Sequence, residues 1–418
     1  SLPGTLPQRT VFERSSSRTT WMGRLTASPM PFSAENRSKA TTTSEIPSGE
    51  PLTRIARIAR PVIVLRPVTI TGLPVLNAAV ALVPVLVFLA VLVLMDSFKL
   101  VPLRAVVRLI VAGGVAAFSG ARLHGWILDG GLVSATALSR YVAPVTEELL
   151  KALPVAWLLA RRRIGFLVDA AILGFAVGAG FALVENVEYL RALGQGSVFL
   201  WIVRGFGTTV LHGGTTSILA VLAKGVEERH PGAGLAAILP GFAVAVAIHS
   251  LFNHFILPPV LATLVLFVTL PVLLVAVFSR SEKGTREWLG AGFDSDVEML
   301  QSTLGQDVAE TRVGRYLLSL RSRFEGPVVA DMMCLLRVHL ELSIRAKGVL
   351  MAREAGIPIE VGEDVRANLN ELRYLERSIG PTGRLALQPM LQTSSRHLWQ
   401  IYMLETEGEA GAKPAPGT

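Results

Sequence analysis

The feature that most constrains this chain is where its apolar residues fall. Half of its 418 residues are apolar (51%) and only 17% are charged. The long apolar runs lie between about residues 75 and 278, and the flanks carry most of the charge. A membrane-crossing helix needs roughly 20 apolar residues. The region supplies about seven such stretches, near Leu76–Met95, Arg104–Phe118, Tyr141–Ala160, Leu167–Leu190, Val198–Ala223, Gly232–Phe255 and Pro258–Phe278. An eighth, hidden within Val62–Leu94, is an open reading. The expected fold is all-α: a polytopic membrane helix bundle of seven or eight spans over residues 61–278, followed by a soluble helical domain over 279–405. In that second region apolar and charged residues alternate at helical spacing, as with Leu335, Leu336, Val338 and Leu340 among Arg337, Glu341 and Arg345. Residues 1–60 and 406–418 lack periodic apolar residues and are predicted to be disordered. No apolar segment follows the early arginines in the way a signal peptide requires.

The net charge of +8 raises the question of a nucleic-acid partner. The basic residues instead flank the spans: Arg54, Arg57 and Arg60, then Arg161 to Arg163, then Lys224 and Arg229, then Arg280 and Lys283. That placement predicts anchoring to a lipid bilayer, with the Arg161–Arg163 turn and the Lys224–His230 loop on the cytoplasmic side. The C-terminal domain is then cytoplasmic as well. Seven spans place the N-terminus outside, whereas Arg54, Arg57 and Arg60 favour the inside. The single cysteine, Cys334, has no internal disulfide partner and reads as a small core residue of a soluble helix.

Ionisable side chains in a bilayer cost roughly 2.5–3.5 kcal/mol each on insertion scales, so those inside a span are functional candidates. Span three carries Glu147, Glu148 and Lys151; span four ends with Glu185, Asn186 and Glu188; span five holds Arg204, Thr208 and His212; span six holds His249 and Asn253. Consecutive spans run in opposite directions. Counted from the relevant ends, Glu147, Glu185, Arg204 and His249 all fall about 8–9 Å below the same surface, at roughly 1.5 Å per residue. Four helices therefore present polar groups at one level. Glu147 and Glu148 each lie within reach of Lys151 on one helix face, and His249 is four residues from Asn253, so the two can act on one group. Four glutamates against Lys151 and Arg204 leave an excess of negative charge. Shared protons, protonated histidines or a bound metal cation would relieve it.

The stretch Glu147-Glu148-Leu149-Leu150-Lys151 resembles the paired-glutamate motif of the PrsW family of intramembrane proteases, relatives of the CAAX prenyl proteases and Abi proteins. Asp169 to Phe175, continuing through Gly178, Gly180, Phe181, Glu185 and Asn186, looks like the family's second block, and Arg204 with His212 and His249 with Asn253 like the remaining ones. Prenyl proteases usually carry His at the position of Glu185, which argues for the PrsW branch. The resemblance implies peptide-bond hydrolysis in or near the membrane, on a single-span membrane protein of the anti-sigma-factor kind, in a bacterial cytoplasmic membrane. Glu147 would be the general base, Glu148 would share or orient its proton, and Lys151 would tune the pair. Glu185 would position the water, His249 and Asn253 would stabilise the oxyanion, and His212 would be a proton donor or metal ligand. Arg204 and Asn186 would support them. This preferred scheme requires no cofactor; a divalent metal such as zinc would draw on Glu147, Glu185, His212 and His249.

Plainer roles stand beside these. Glu147 and Glu148 read also as a structural ion pair with Lys151, Glu188 and His254 as interfacial groups, and Thr208 as bonded to its own helix. Asp169 reads equally as a helix cap, and Gly174 and Gly178 as sites of close helix packing. The rival functions are a proton or metal transporter using the same acids and histidines, and an inactive scaffold whose work lies in the C-terminal domain.

Overall fold

The computed structural model describes residues 75–193, 198–305, 307–357, 359, 362–391 and 395–410. Eleven α-helices of nine residues or more make up most of it, with no strand among the described residues. The first seven are α1 (Val75–Leu94), α2 (Leu103–Asp129), α3 (Ala143–Ala160), α4 (Leu167–Leu193), α5 (Val198–Arg229), α6 (Ile238–Asn253) and α7 (Pro259–Leu304). The remaining four are α8 (Arg312–Leu320), α9 (Gly326–Glu354), α10 (Glu363–Leu387) and α11 (Ser395–Ala410). Six of the first seven are long and apolar enough to cross a membrane; α3 is the exception. It has the length but carries Glu147, Glu148 and Lys151. The chain is thus an all-α polytopic bundle with a second helical region behind it. The expected disorder of residues 1–60, and the eighth span sought before residue 75, lie outside the described residues.

Helices α4 and α5 are the most buried spans, and small residues put them at the centre. A Cβ on Gly178 would lie 2.1 Å from the His212 carbonyl oxygen of α5. On the other face of α4, a Cβ on Gly180 would lie 1.9 Å from the Ile110 carbonyl oxygen of α2. Lipid supplies no hydrophobic force between helices, so such backbone approach and its dispersion contacts hold the bundle together. Asn186 ties in a third helix: its amide donates to the Ala81 carbonyl of α1 (2.8 Å) and accepts from the Thr208 hydroxyl of α5 (2.9 Å).

The lead-in to α3 is unusual. A π-helical turn, Leu138–Val142, runs straight into it. Pro144 has no N–H to give the Arg140 carbonyl four residues back, which opens the ladder there. Helix α6 fills the gap: Ser250 donates to the Arg140 carbonyl (2.7 Å) and Asn253 to the Ser139 carbonyl (2.9 Å). The start of α3 is thereby pinned to the end of α6. At the start of α4, Asp169 caps the helix, accepting from the backbone N–H groups of Gly165 (2.9 Å) and Phe166 (3.2 Å).

The expected boundary between membrane core and soluble domain, at residue 279, falls inside the 46-residue helix α7. The change from apolar to amphipathic sequence there reflects a change of surroundings, with no break in the backbone. Likewise α11 continues to Ala410, past the expected start of the tail at 406. Cys334 is exposed on α9, a correction to the expectation of a core residue. It occupies the outward face of an amphipathic helix whose neighbours Leu335 and Leu336 face the core.

Helices α7 to α11 enclose their own core around a buried polar knot. Lys347 pairs with Asp296 and donates to the Gly292 carbonyl (3.0 Å), while Ser343 bridges Asp296 (2.5 Å) and Gln400 (2.7 Å). Burial, aided by the charge of Lys347, pushes the nearby His397 imidazole down to about 4, so it stays neutral. This region covers the end of the bundle that carries the 95–102, 161–166 and 230–237 connections. Phe166 packs edge-on against Trp288 (5.5 Å) and Trp399 (5.3 Å), and Arg396 reaches Glu228 (3.1 Å). Arg163 lies over the Tyr402 ring (4.7 Å), and Arg104 donates to the Thr406 carbonyl. Arg162 pairs with Glu227, so the two basic connections expected on one side do share one end of the bundle.

Candidate active site

The polar residues converge at the opposite end, where α3, α4, α5 and α6 meet. Glu148 and Lys151 face the middle of the bundle and are both fully buried (0% side-chain exposure). Lys151 Nζ donates to Glu148 Oε1 at 2.6 Å, three residues away on the same helix face. The same ammonium donates to His212 Nδ1 at 3.0 Å. The opposite ring nitrogen of His212, Nε2, lies 2.8 Å from Glu185 Oε2. An acceptor at Nδ1 requires the proton on Nε2, so the network itself sets the tautomer. Arg204 completes this branch, 3.4 Å from Glu185 Oε1, with its guanidinium against the Tyr189 ring.

A second branch leads from Glu148 to α6. His249 Nδ1 donates to Glu148 Oε1 at 2.8 Å, and the Thr215 hydroxyl lies 3.2 and 3.3 Å from the two Glu148 oxygens. Both oxygens of this buried carboxylate therefore face a donor, with Lys151 and His249 concentrated on Oε1, which compensates the cost of keeping a charge out of water. With its proton on Nδ1, His249 turns a bare Nε2 towards Glu147 Oε2, 3.8 Å away. Glu147 is the more accessible of the paired glutamates, 14% exposed, and Glu185 is 26% exposed.

One ligand atom each from Glu147, His212 and His249 lies within 4.8 Å of the other two. Two imidazoles and a carboxylate are a donor set that zinc accepts while keeping a further position open. The surroundings fit as well. A metal-binding imidazole commonly gives its other N–H to a carboxylate, which is what His249 does with Glu148. His212 Nε2 carries a proton here, donated to Glu185, and an ion bound at that nitrogen would release it to solvent, leaving Glu185 a carboxylate.

Most of the residues singled out in the sequence meet here: Glu147, Glu148, Lys151, Glu185, Arg204, His212 and His249. Asn186 and Asn253 do not. Both amides hold backbone carbonyls, of Ala81 and Ser139 respectively, at positions that brace the site from outside. Thr208 bonds its own helix at the Arg204 carbonyl (2.5 Å), and Glu188 pairs with Arg191 near the span end. Two participants went unread. Thr215 lies three residues beyond His212 and hides among ordinary helix threonines. His124 of α2, 3.8 Å from Glu147 Oε1, lies past the point where the apolar run of that span stops.

Buried carboxylates and imidazoles, borne on helices that cross a bilayer and gathered in one pocket, define a multi-pass membrane enzyme whose reacting groups lie inside its helix bundle. Residues 101–278 match the family model described as PrsW family intramembrane metalloprotease. The matched segment contains every residue of the pocket. No significant match was found among curated proteins or among solved structures.

Proposed function

We propose that this chain is a metal-assisted endopeptidase that cuts single-span, membrane-anchored proteins of the anti-sigma-factor kind near the outer face of a bacterial cytoplasmic membrane. The observation that carries the reading is the approach of Glu147, His212 and His249 to within 4.8 Å of one another on three separate helices. Those three residues would hold the ion. A bound divalent metal of this kind polarises a carbonyl and acidifies water.

The protein's own groups do the rest. Glu148, charged and fully paired, fixes the ring of His249 and its tautomer. Lys151 keeps Glu148 ionised and fills His212 Nδ1, so that His212 presents Nε2 to the pocket. Glu185 accepts a proton from the attacking water and returns it to the leaving amine, with Arg204 holding its carboxylate in place. The scheme assigns Glu147 to the metal, in place of the base role that the family resemblance alone suggested. The orientation rests on the basic connections at the far end of the bundle, which favour the cytoplasm.

The test is cleavage of a single-span reporter by purified protein in lipid nanodiscs. Wild type should cut, Glu147→Ala and His249→Ala should lose at least about 100-fold in rate, and a chelator should stop the reaction until zinc is restored. Cleavage by Glu147→Ala at the wild-type rate would refute the assignment. Cleavage that ignores the chelator but fails in Glu147→Ala would return Glu147 to the role of metal-free base.

A further inference from the structure

Helix α2 contributes nothing to the candidate donor set, yet it forms one wall of the pocket. Two observations a helical turn apart place it against Glu147. At Gly120, a Cβ would lie 3.9 Å from Glu147 Cγ and 3.5 Å from Leu150 Cδ1, so α2 passes close to the stem of Glu147. Four residues on, His124 is buried inside the same span. A buried ionisable residue at that depth needs a partner, and it has one on α3. His124 Nε2 lies 2.7 Å from the Thr146 hydroxyl oxygen.

The direction of that hydrogen bond can be worked out. The Thr146 hydroxyl has a single proton, and the Val142 carbonyl (2.9 Å) and Ala143 carbonyl (3.2 Å) of its own helix take it. Towards His124 it therefore accepts, and the imidazole donates from Nε2. The ring is then locked in one orientation, with Nδ1 facing Glu147 Oε1 at 3.8 Å. Glu147 Oε2 faces His249 Nε2, also at 3.8 Å. Each oxygen of the carboxylate thus faces one imidazole. No direct hydrogen bond spans either distance, so the walls, and not a bond, decide which way it points.

We propose that His124 is a positioning residue: locked by Thr146, its ring keeps the Glu147 carboxylate turned towards His212 and His249. The proposal rests on the reading of Glu147 as a metal ligand. It gives α2 a function beyond packing and assigns the pocket a residue that lies outside its donor set.

The experiment measures zinc affinity of the full-length protein in nanodiscs, by competition between zinc ion and a chromogenic chelator, alongside kcat and KM on the single-span reporter. His124→Ala should weaken zinc binding about 10–100-fold, the usual cost of losing a partner behind a ligand, and lower kcat with KM little changed. Thr146→Val, which keeps shape but removes the acceptor, should lose as much. His124→Gln places an amide N–H within reach of Thr146 and should recover most of the affinity. Wild-type affinity and kcat in His124→Ala overturn the proposal, as does a His124→Gln that falls as far as the alanine variant. If His124→Ala does not fold, the other two variants decide by the same criteria. Glu147→Ala separates the levels. Should it bind zinc and cut like wild type, the underlying reading fails. Should it lose both while His124→Ala and Thr146→Val lose neither, only the positioning role fails.

Discussion

Lys151 sits where three demands meet: it neutralises Glu148, orients His212, and lies fully buried 4.7 Å from the Phe181 ring. Removing one member of a buried pair leaves the other charge uncompensated, at a cost of about 3–5 kcal/mol, whereas replacing both with neutral groups of similar size is often tolerated. Lys151→Met should therefore lower the thermal midpoint sharply. The double variant Glu148→Gln/Lys151→Met should regain most of that stability but none of the cleavage activity, because His249 then lacks its anionic partner. A double variant that melts as early as the single one would show that the pair matters through packing and not through charge. At this scale the sequence was a good guide wherever a residue was costly to place. Glu147, Glu148, Glu185, His212 and His249 stood out because bilayers rarely tolerate such groups. It was a poor guide where helical spacing stood in for contact. Asn253 shares a face with His249, but α6 ends there, and the opened turn before Pro144 offers its amide a carbonyl that needs a donor.

Between elements, the pocket depends on how closely α2, α4 and α5 approach. Gly180 and Gly114 make an internal comparison. A Cβ on Gly180 would meet the Ile110 backbone carbonyl at 1.9 Å, which only separation of α2 from α4 relieves. A Cβ on Gly114 would meet Val184 Cγ2 at 3.2 Å, a side-chain end that can shift by a few tenths of an ångström. Gly180→Ala should destabilise by about 1–3 kcal/mol, in the range of overpacked cores, and Gly114→Ala by much less. Because α2 carries His124 and α4 carries Glu185, Gly180→Ala should also reduce cleavage out of proportion to its folded fraction. Thermal melts read against cleavage rates check both points, and equal behaviour of the two variants would deny that backbone approach sets the spacing. The helices themselves were legible as apolar runs, and the expected close packing at Gly178 was found. The extent of α2 was not. Its apolar run thins after Phe118, while the helix continues to Asp129, with His124 bonded to Thr146. Hydropathy reports contact with lipid, and in this stretch Gly120 and His124 face protein.

For the molecule as a whole, the two ends of the bundle have different tasks. One end holds the pocket. The other is covered by α7 to α11, which clasp the Arg161–Arg163 turn and the end of α5 through Arg396–Glu228, Arg163–Tyr402 and the Phe166 aromatic contacts. Sidedness of one end therefore fixes sidedness of the other. In the proposed orientation, with the basic connections and the covered end in the cytoplasm, the pocket would lie near the outer leaflet and α1's first residues on the outer side. The chain carries its own probe for this, since its one cysteine, Cys334, is exposed on α9. A membrane-impermeant maleimide should label Cys334 in inverted membrane vesicles and after detergent treatment, but not in vesicles of native orientation; Cys334→Ser should abolish the signal. Labelling confined to native-orientation vesicles would place the helical domain outside and move the cut site to the cytoplasmic leaflet. The geometry of the pocket would survive that result, but the substrate would have to be one whose scissile segment faces the cell interior.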